Sequence, residues 1–420
     1  MTMNEPRPGQ DHLGASSQRP LPQQANPTWL GHVQPAYYRR APANNRDQFQ
    51  QALPPDLSPV PVGRRSAGVF GLVLAGGFLA FFSLFLVLPF LLDRTGISGF
   101  VIGFLASLIP LGTVLLTVRF IDRWEPEPKP LLLFAFAWGA AVSIAVTMLI
   151  QPYFSLVAGP ASGLDYTTFA VTVQAPVVEE FAKSLGLLVL LLFAPKHFNG
   201  PVDGVVFAFT IAAGFAFTEN ILYFGRALAE SSDPGTDLAV VFFLRGVMSP
   251  FAHAIFTGTT GLIMGFAARR GRTGLSVLAF VVGLVPAMLL HSAWNSMGQD
   301  FLAQYLLVQV PIFLLAVLVI VLLRVAERRL TRQRLKEYAA AGWFTAAEVE
   351  MLATAAGRRS ALRWARSVGR GAQMKALLEA ATQLALTRQR ILSGRDVRSH
   401  QREEQHQLAE IAALRAAVAG

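Results

Sequence analysis

Carboxylates are rare in the middle of apolar runs, yet the stretch VTVQAPVVEEFAKSLGLLVLLLF carries two side by side, Glu179 and Glu180. In hydrocarbon each costs several kcal/mol unless it faces a protein or water-lined interior. Each also disfavours ionisation of the other. Lys183 follows them by four and three residues, on the same helix side as both, and can neutralise one. Neighbours on a helix point about 100° apart. One glutamate is therefore expected to face a cavity while the other holds a neighbouring helix. The paired acids are the first candidates for activating a water.

Three further apolar runs carry groups of the same kind. DGVVFAFTIAAGFAFTENILYFG holds Glu219 and Asn220, with Phe215 one helical turn before the glutamate. The next run carries His253, followed by Thr257, Gly261 and Gly265 at intervals of four, a stripe of small residues that lets another helix approach closely. The run after it ends in PAMLLHSAWNSMG, with His291 and Asn295 four apart on one face.

The inventory selects the chemistry. The chain has no cysteine, which excludes thiol nucleophiles, thiolate metal sites and disulfides. Ser249 and Ser292 lack the setting of a nucleophile elbow. Carboxylate-led hydrolysis remains: Glu179 or Glu180 deprotonates a water, and His291 and Asn295 donate hydrogen bonds to the developing oxyanion. His253, His291, Glu180 and Glu219 are also nitrogen and oxygen donors of the kind zinc accepts, although nothing matches the HExxH spacing. Each group has a plainer alternative, an ion network or interhelical hydrogen bonding, and a proton-relaying transporter would use similar residues. No inverted repeat joins the two halves as a transporter would predict.

The elements that must position these groups are membrane helices. The sequence is 53% hydrophobic and 15% charged, with mean hydropathy +0.44 over 420 residues, so the chain reads as all-α, a polytopic transmembrane bundle. About eight spans are expected, at 67–92, 100–118, 131–151, 169–193, 202–222, 238–268, 274–297 and 301–323. Arg245, Ser249 and Pro250 predict a broken start to the sixth, and Pro176 a bend just before the paired glutamates. Basic residues mark alternate connections, namely Arg64 and Arg65, Arg119 with Arg123, Lys196, Arg269 with Arg270, and Arg324 with Arg328. Both termini are therefore expected on the cytoplasmic side of the cell membrane. Counted at about 1.5 Å per residue from that side, Glu180, Glu219, His253 and His291 reach a common depth of roughly 20–25 Å on helices of opposite direction. That coincidence predicts one polar chamber.

Three regions follow: a Pro-, Gln- and Asn-rich tail over 1–66 that reads as disordered, a membrane peptidase-like unit over 67–324, and a helical cytoplasmic extension over 325–420. In the extension Thr345 and Glu348 form a capping-box pattern, and Gly369 and Gly371 interrupt the longer helical stretch. The formal charge of +10 suits loops beside anionic lipid, and no nucleic-acid partner is expected. The expected partner is the bilayer.

In this order the motifs resemble the PrsW family of intramembrane proteases, within the broader group that includes the CAAX prenyl endopeptidases and the Abi-type membrane proteins. Glu179-Glu180-Phe181-Ala182-Lys183 resembles the EExxK motif, Phe215-Ala216-Phe217-Thr218-Glu219 the FxxxE motif, and His291-Ser292-Ala293-Trp294-Asn295 the late histidine motif. DRWEPEP at 122–128 is similar to the family's short early loop. The resemblance covers roughly 69–324. It implies a multi-pass peptidase acting on membrane-associated proteins, an anti-sigma factor among its relatives' substrates. It also implies Glu179 as base, His291 and Asn295 as an oxyanion hole, and either a metal, with zinc foremost, or a glutamate-activated water without one. Lys183, Phe215, Asn220 and His253 would support the site. The family's last motif is usually HxxxD, and Asn295 departs from it toward the prenyl-endopeptidase form. In those relatives the position of Glu219 carries a histidine.

Overall fold

The computed structural model describes residues 75–419 apart from 80, 125, 271–272, 298–299 and 395–396. The tail of 1–66, with Arg64 and Arg65, and the first residues of the expected first span lie outside the described residues. Among the described residues every regular element is helical. The membrane part is built from α1 (Ala75–Ile121), α2 (Lys129–Ser162), α3 (Ala175–Phe193), α4 (Pro201–Ala229), α5 (Pro234–Phe242), α6 (Ala252–Ala268), α7 (Thr273–Asn295) and α8 (Val310–Ala340).

Six helices of the described residues are long and apolar enough to cross a bilayer, against the eight spans expected. Two local features account for the difference. The first two expected spans fall on α1, where between Leu88 and Ile121 one residue, Gly96, leaves helical geometry, with φ 65° and ψ 172°. That left-handed φ is open to glycine and costly for a side-chain-bearing residue. The fourth expected span falls on α3, whose Glu179, Glu180 and Lys183 make it too charged to count by composition. The expected break in the sixth lies at a π-helical turn over Phe243–Met248, after which α6 starts afresh at Ala252.

Helix α4 is the axis of the bundle. Every residue from Asp203 to Phe215 is buried, as a helix apolar on all sides requires. Helices α1 and α6 lie along it, and α7 packs on α6. The outer faces carry exposed Leu105, Leu116, Leu307 and Leu314, apolar surface that suits lipid chains.

The small-residue stripe of α6 is pressed against α4. A Cβ built on Gly261 would stand 2.2 Å from the carbonyl oxygen of Gly204 and 2.7 Å from the Ala208 Cβ. Substituting Gly261→Val must therefore pry the two helices apart, and His253 lies two turns along the same helix. The expected result is a loss of about 2 kcal/mol or more of stability, read as a fall in melting temperature in detergent. An unchanged melting temperature would mean that this crossing is looser than it looks.

Helix α8 runs without interruption past Leu323 into the C-terminal extension, where α9 (Ala346–Ala353), α10 (Ala355–Ser367), α11 (Gly371–Leu392) and α12 (Val397–Ala419) enclose a core that includes Leu335, Leu352, Met374, Leu384 and Ile411. Thr345 and Glu348 form the expected reciprocal capping box. Trp124, in the loop after α1, ties this unit to the membrane part. Its indole donates to Thr331 Oγ1 at 3.2 Å, and the Arg358 guanidinium lies 3.6 Å above its ring.

Candidate active site

The site starts from a proline. Pro176 has no N–H, and a π-helical turn over Ala170–Gln174 precedes it. In that turn the Ala175 N–H bonds back to the carbonyl of Ala170. Val171 is left without its usual donor, and Thr172 would need the N–H that Pro176 lacks. Both carbonyls are captured from α7: Asn295 Nδ2 donates to Val171 O at 2.9 Å and Ser292 Oγ to Thr172 O at 2.6 Å. The late histidine motif thus holds open the turn that leads into the paired glutamates.

Beyond that turn Glu180 is fully buried and fully used. Its Oε1 lies 2.6 Å from Lys183 Nζ and 3.0 Å from His291 Nδ1, and its Oε2 accepts from Thr257 Oγ1 at 2.8 Å. Glu179 is different. Its Oε2 is buried without a hydrogen-bond partner, and both Lys183 Nζ and His291 Nε2 lie 3.9 Å away. The two adjacent acids therefore divide as the helix geometry predicts, one spent on structure and one turned to a cavity.

His253 on α6 faces Glu219 Oε2 through Nε2 at 2.8 Å and Lys183 Nζ through Nδ1 at 3.2 Å. Its ring stands edge-on to that of His291, centroids 5.2 Å apart. Phe215 covers Lys183, whose ammonium sits 4.3 Å above the ring, which accounts for the phenylalanine one turn before Glu219. Asn220 accepts from Arg245 Nε at 2.8 Å, and Arg245 Nη2 bonds Glu219 at 2.5 Å.

All nine site residues expected from sequence thus lie in or beside one cluster fed by α3, α4, α6 and α7. A cavity of about 470 Å³ opens onto it, with Glu179, Glu219, His253, His291 and Asn295 among its walls. Four contributors go unmarked as site residues in the sequence. Arg245 reads there only as the mark of a broken helix, although a cation in an apolar run calls for an acid such as Glu219. Thr257 reads as packing, although it lies one turn from His253. Gln174 and Tyr223, both in the cavity wall, carry no signal beyond being polar in an apolar stretch.

Glu179, His253 and His291 can each present one ligand atom, all within 4.8 Å of one another. One carboxylate oxygen and two imidazole nitrogens suit zinc. A carboxylate on the far nitrogen of each ring, Glu180 behind His291 and Glu219 behind His253, is the support that metal-binding histidines commonly have. Of the carboxylates expected as ligands, Glu180 and Glu219 thus face the imidazole rings, and the group that could hold an ion contains Glu179 instead.

Several apolar helices closing on a buried glutamate–histidine cluster define a multi-pass membrane hydrolase. Residues 127–346 match the family described as PrsW family intramembrane metalloprotease. The chain is similar to the protease PrsW of Clostridioides difficile (strain 630), 30% identical over 195 residues that make up 46% of this chain and 77% of that protein. It is 27% identical to the protease PrsW of Oceanobacillus iheyensis over 222 residues, 51% of this chain and 91% of that protein. It is 26% identical to the protease PrsW of Bacillus subtilis (strain 168) over 195 residues, 45% of this chain and 79% of that protein. No solved structure matches the chain. The chain belongs to the PrsW family of intramembrane metalloproteases, and it is a protease.

Proposed function

We propose that this protein hydrolyses peptide bonds of membrane-anchored proteins within the bilayer, with Glu179 as the base that activates water. The observation that carries this reading is the Glu179 Oε2 atom, buried and unpartnered at the cavity wall 3.9 Å from His291 Nε2. An acceptor left bare in a low-dielectric site costs free energy unless water or substrate fills it.

Glu179 takes a proton from the water, whose oxygen attacks the substrate carbonyl carbon, and the proton passes to the leaving amine. Glu180 holds the His291 ring through Nδ1, so that Nε2 faces the reaction. Asn295 spends one amide hydrogen on Val171 O and keeps the second for the cavity. Glu219, Asn220 and Arg245 fix His253, while Lys183 balances the glutamates.

The clustering of Glu179, His253 and His291 supports a second reading in which these three hold zinc. A bound zinc ion would supply a water of lowered pKa and polarise the carbonyl. Glu179 would then be a ligand rather than a free base. Lys183 weighs toward the metal-free reading, since its ammonium already lies within 4 Å of both Glu179 and His253.

In this proposal α1 crosses twice, with Gly96 between the crossings, and α3 crosses as well. That makes eight spans with both termini cytoplasmic on the basic loops. The peptidase unit is 67–324 and the extension 325–420, and a single-span anti-sigma factor, the substrate class the resemblance implies, is the first candidate to be cut.

In vesicles the full-length chain is expected to cut a single-span reporter within or beside its span, with the bond located by mass spectrometry. Failure across a panel of such reporters would remove the reading. One zinc per chain, with activity lost on chelation and restored by zinc, would select the metal mechanism. Full activity after chelation, with no metal in the protein, would select the glutamate acting alone.

A further inference from the structure

Gln174 closes the π-helical turn that leads into α3, five residues before Glu179, and the residue is only 6% exposed. It lines the same cavity as Glu179, His291 and Asn295. Its side-chain carbonyl oxygen has no hydrogen-bond partner in the protein. A buried amide oxygen without a donor is costly. An apolar residue of similar size would fill the space without that cost. The bare acceptor therefore asks for a donor from the molecule that enters the cavity. Gln151, on α2, adds a second amide to the wall.

We infer that Gln174 binds the substrate's main chain, accepting a backbone N–H beside the scissile bond, and that it selects substrates whose span is unwound at that point. The inference rests on the proteolytic reading above. In an intact transmembrane helix every backbone N–H beyond the first turn is bonded to its own carbonyl, so none is available to Gln174. A segment loosened by glycine or proline, or extended where it leaves the helix, offers one. The contact thus couples binding to local unwinding, which the attack on the carbonyl also needs. Gln174 is a positioning residue: it registers the chain while Glu179 acts on the water.

The test uses full-length protein in vesicles and a synthetic single-span peptide with a glycine-proline pair in its outer half, whose cut site is first mapped. Esters then replace single amides at the three residues on each side of that site, each removing one N–H. For wild type, one ester position is expected to lower kcat/KM about tenfold, the effect of losing one neutral hydrogen bond. Gln174→Leu is expected to raise KM about tenfold on the all-amide peptide with little change in kcat, and to lose nothing further at that ester position. Gln174→Met, closer in shape, guards against a packing defect and should behave the same, with a melting temperature at or above that of wild type. An unchanged KM in both variants, or an ester penalty as large in them as in wild type, overturns the inference and leaves the protease reading standing. A Glu179→Gln protein that cuts like wild type, or a wild type that leaves this peptide and the reporter panel whole, overturns that reading and this inference with it.

Discussion

Glu179→Gln should abolish cleavage, by about a thousandfold or more, while leaving the protein folded, whereas Glu180→Gln should destabilise it. The two side chains are neighbours in sequence but have opposite environments. Glu179 Oε2 has no hydrogen-bond partner, so an amide there breaks no hydrogen bond of that oxygen and relieves the crowding of two acids. Glu180 meets Lys183, His291 and Thr257 at 2.6–3.0 Å, so the neutral amide leaves a buried ammonium without its closest counter-charge. Glu179→Gln is therefore expected to purify in normal yield with a melting temperature at or above that of wild type, and to be inactive. Glu180→Gln is expected to melt lower, with activity falling in step as His291 loses its orienting carboxylate. The measurement is a melting curve beside a cleavage rate for each protein. Wild-type rates from Glu179→Gln, or an inactive Glu180→Gln with undiminished stability, would reverse the roles.

Much of this site is legible in the amino-acid sequence, and the reason is energetic. Ionisable groups in an apolar run are too costly to be placed at random, so Glu179, Glu180, Glu219, His253 and His291 announce a shared interior. The helical period makes the two glutamates face different ways, and the distances bear that out. What stays hidden depends on contacts distant in sequence. That Asn295 and Ser292 reach Val171 and Thr172 follows from a proline that shifts the hydrogen-bond register of a turn some 120 residues away. No local pattern around Asn295 reports it. Arg245 looks like a helix breaker because its partners, Glu219 and Asn220, lie on another helix. Span counting fails to settle for a similar reason: composition alone cannot tell one long helix bent at Gly96 from two crossings, and it discounts α3 for the charges that give that helix its chemistry. The helix Val397–Ala419 is polar on most faces, and the packing of Leu408, Ile411 and Val418 into the extension's core, with Arg415 on Glu348, marks it as part of the fold.

Replacing the cation tests the architecture as a whole. Lys183 is fully buried, 2.6 Å from Glu180, 3.9 Å from Glu179 and 3.2 Å from His253, so one ammonium serves three polar groups of two helices. Lys183→Met keeps most of the aliphatic length but removes the charge, and with it the ammonium over the Phe215 ring. Two adjacent buried carboxylates are then left without the ammonium that faces both, and breaking a buried ion pair from one side costs about 3–5 kcal/mol. The variant is expected to melt far below wild type, or to fail to accumulate, and to show no cleavage. The informative protein is the double variant Lys183→Met with Glu180→Gln. It removes both members of the closest pair, so the uncompensated charge disappears and most of the stability should return. Activity should not return with it, because His291 Nδ1 then faces an amide in place of a carboxylate and its ring is no longer held and polarised as before. A double variant as unstable as the single one would mean that Lys183 is anchored mainly by its packing under Phe215. A stable and fully active one would mean that Glu180 and Lys183 stand outside the chemistry altogether.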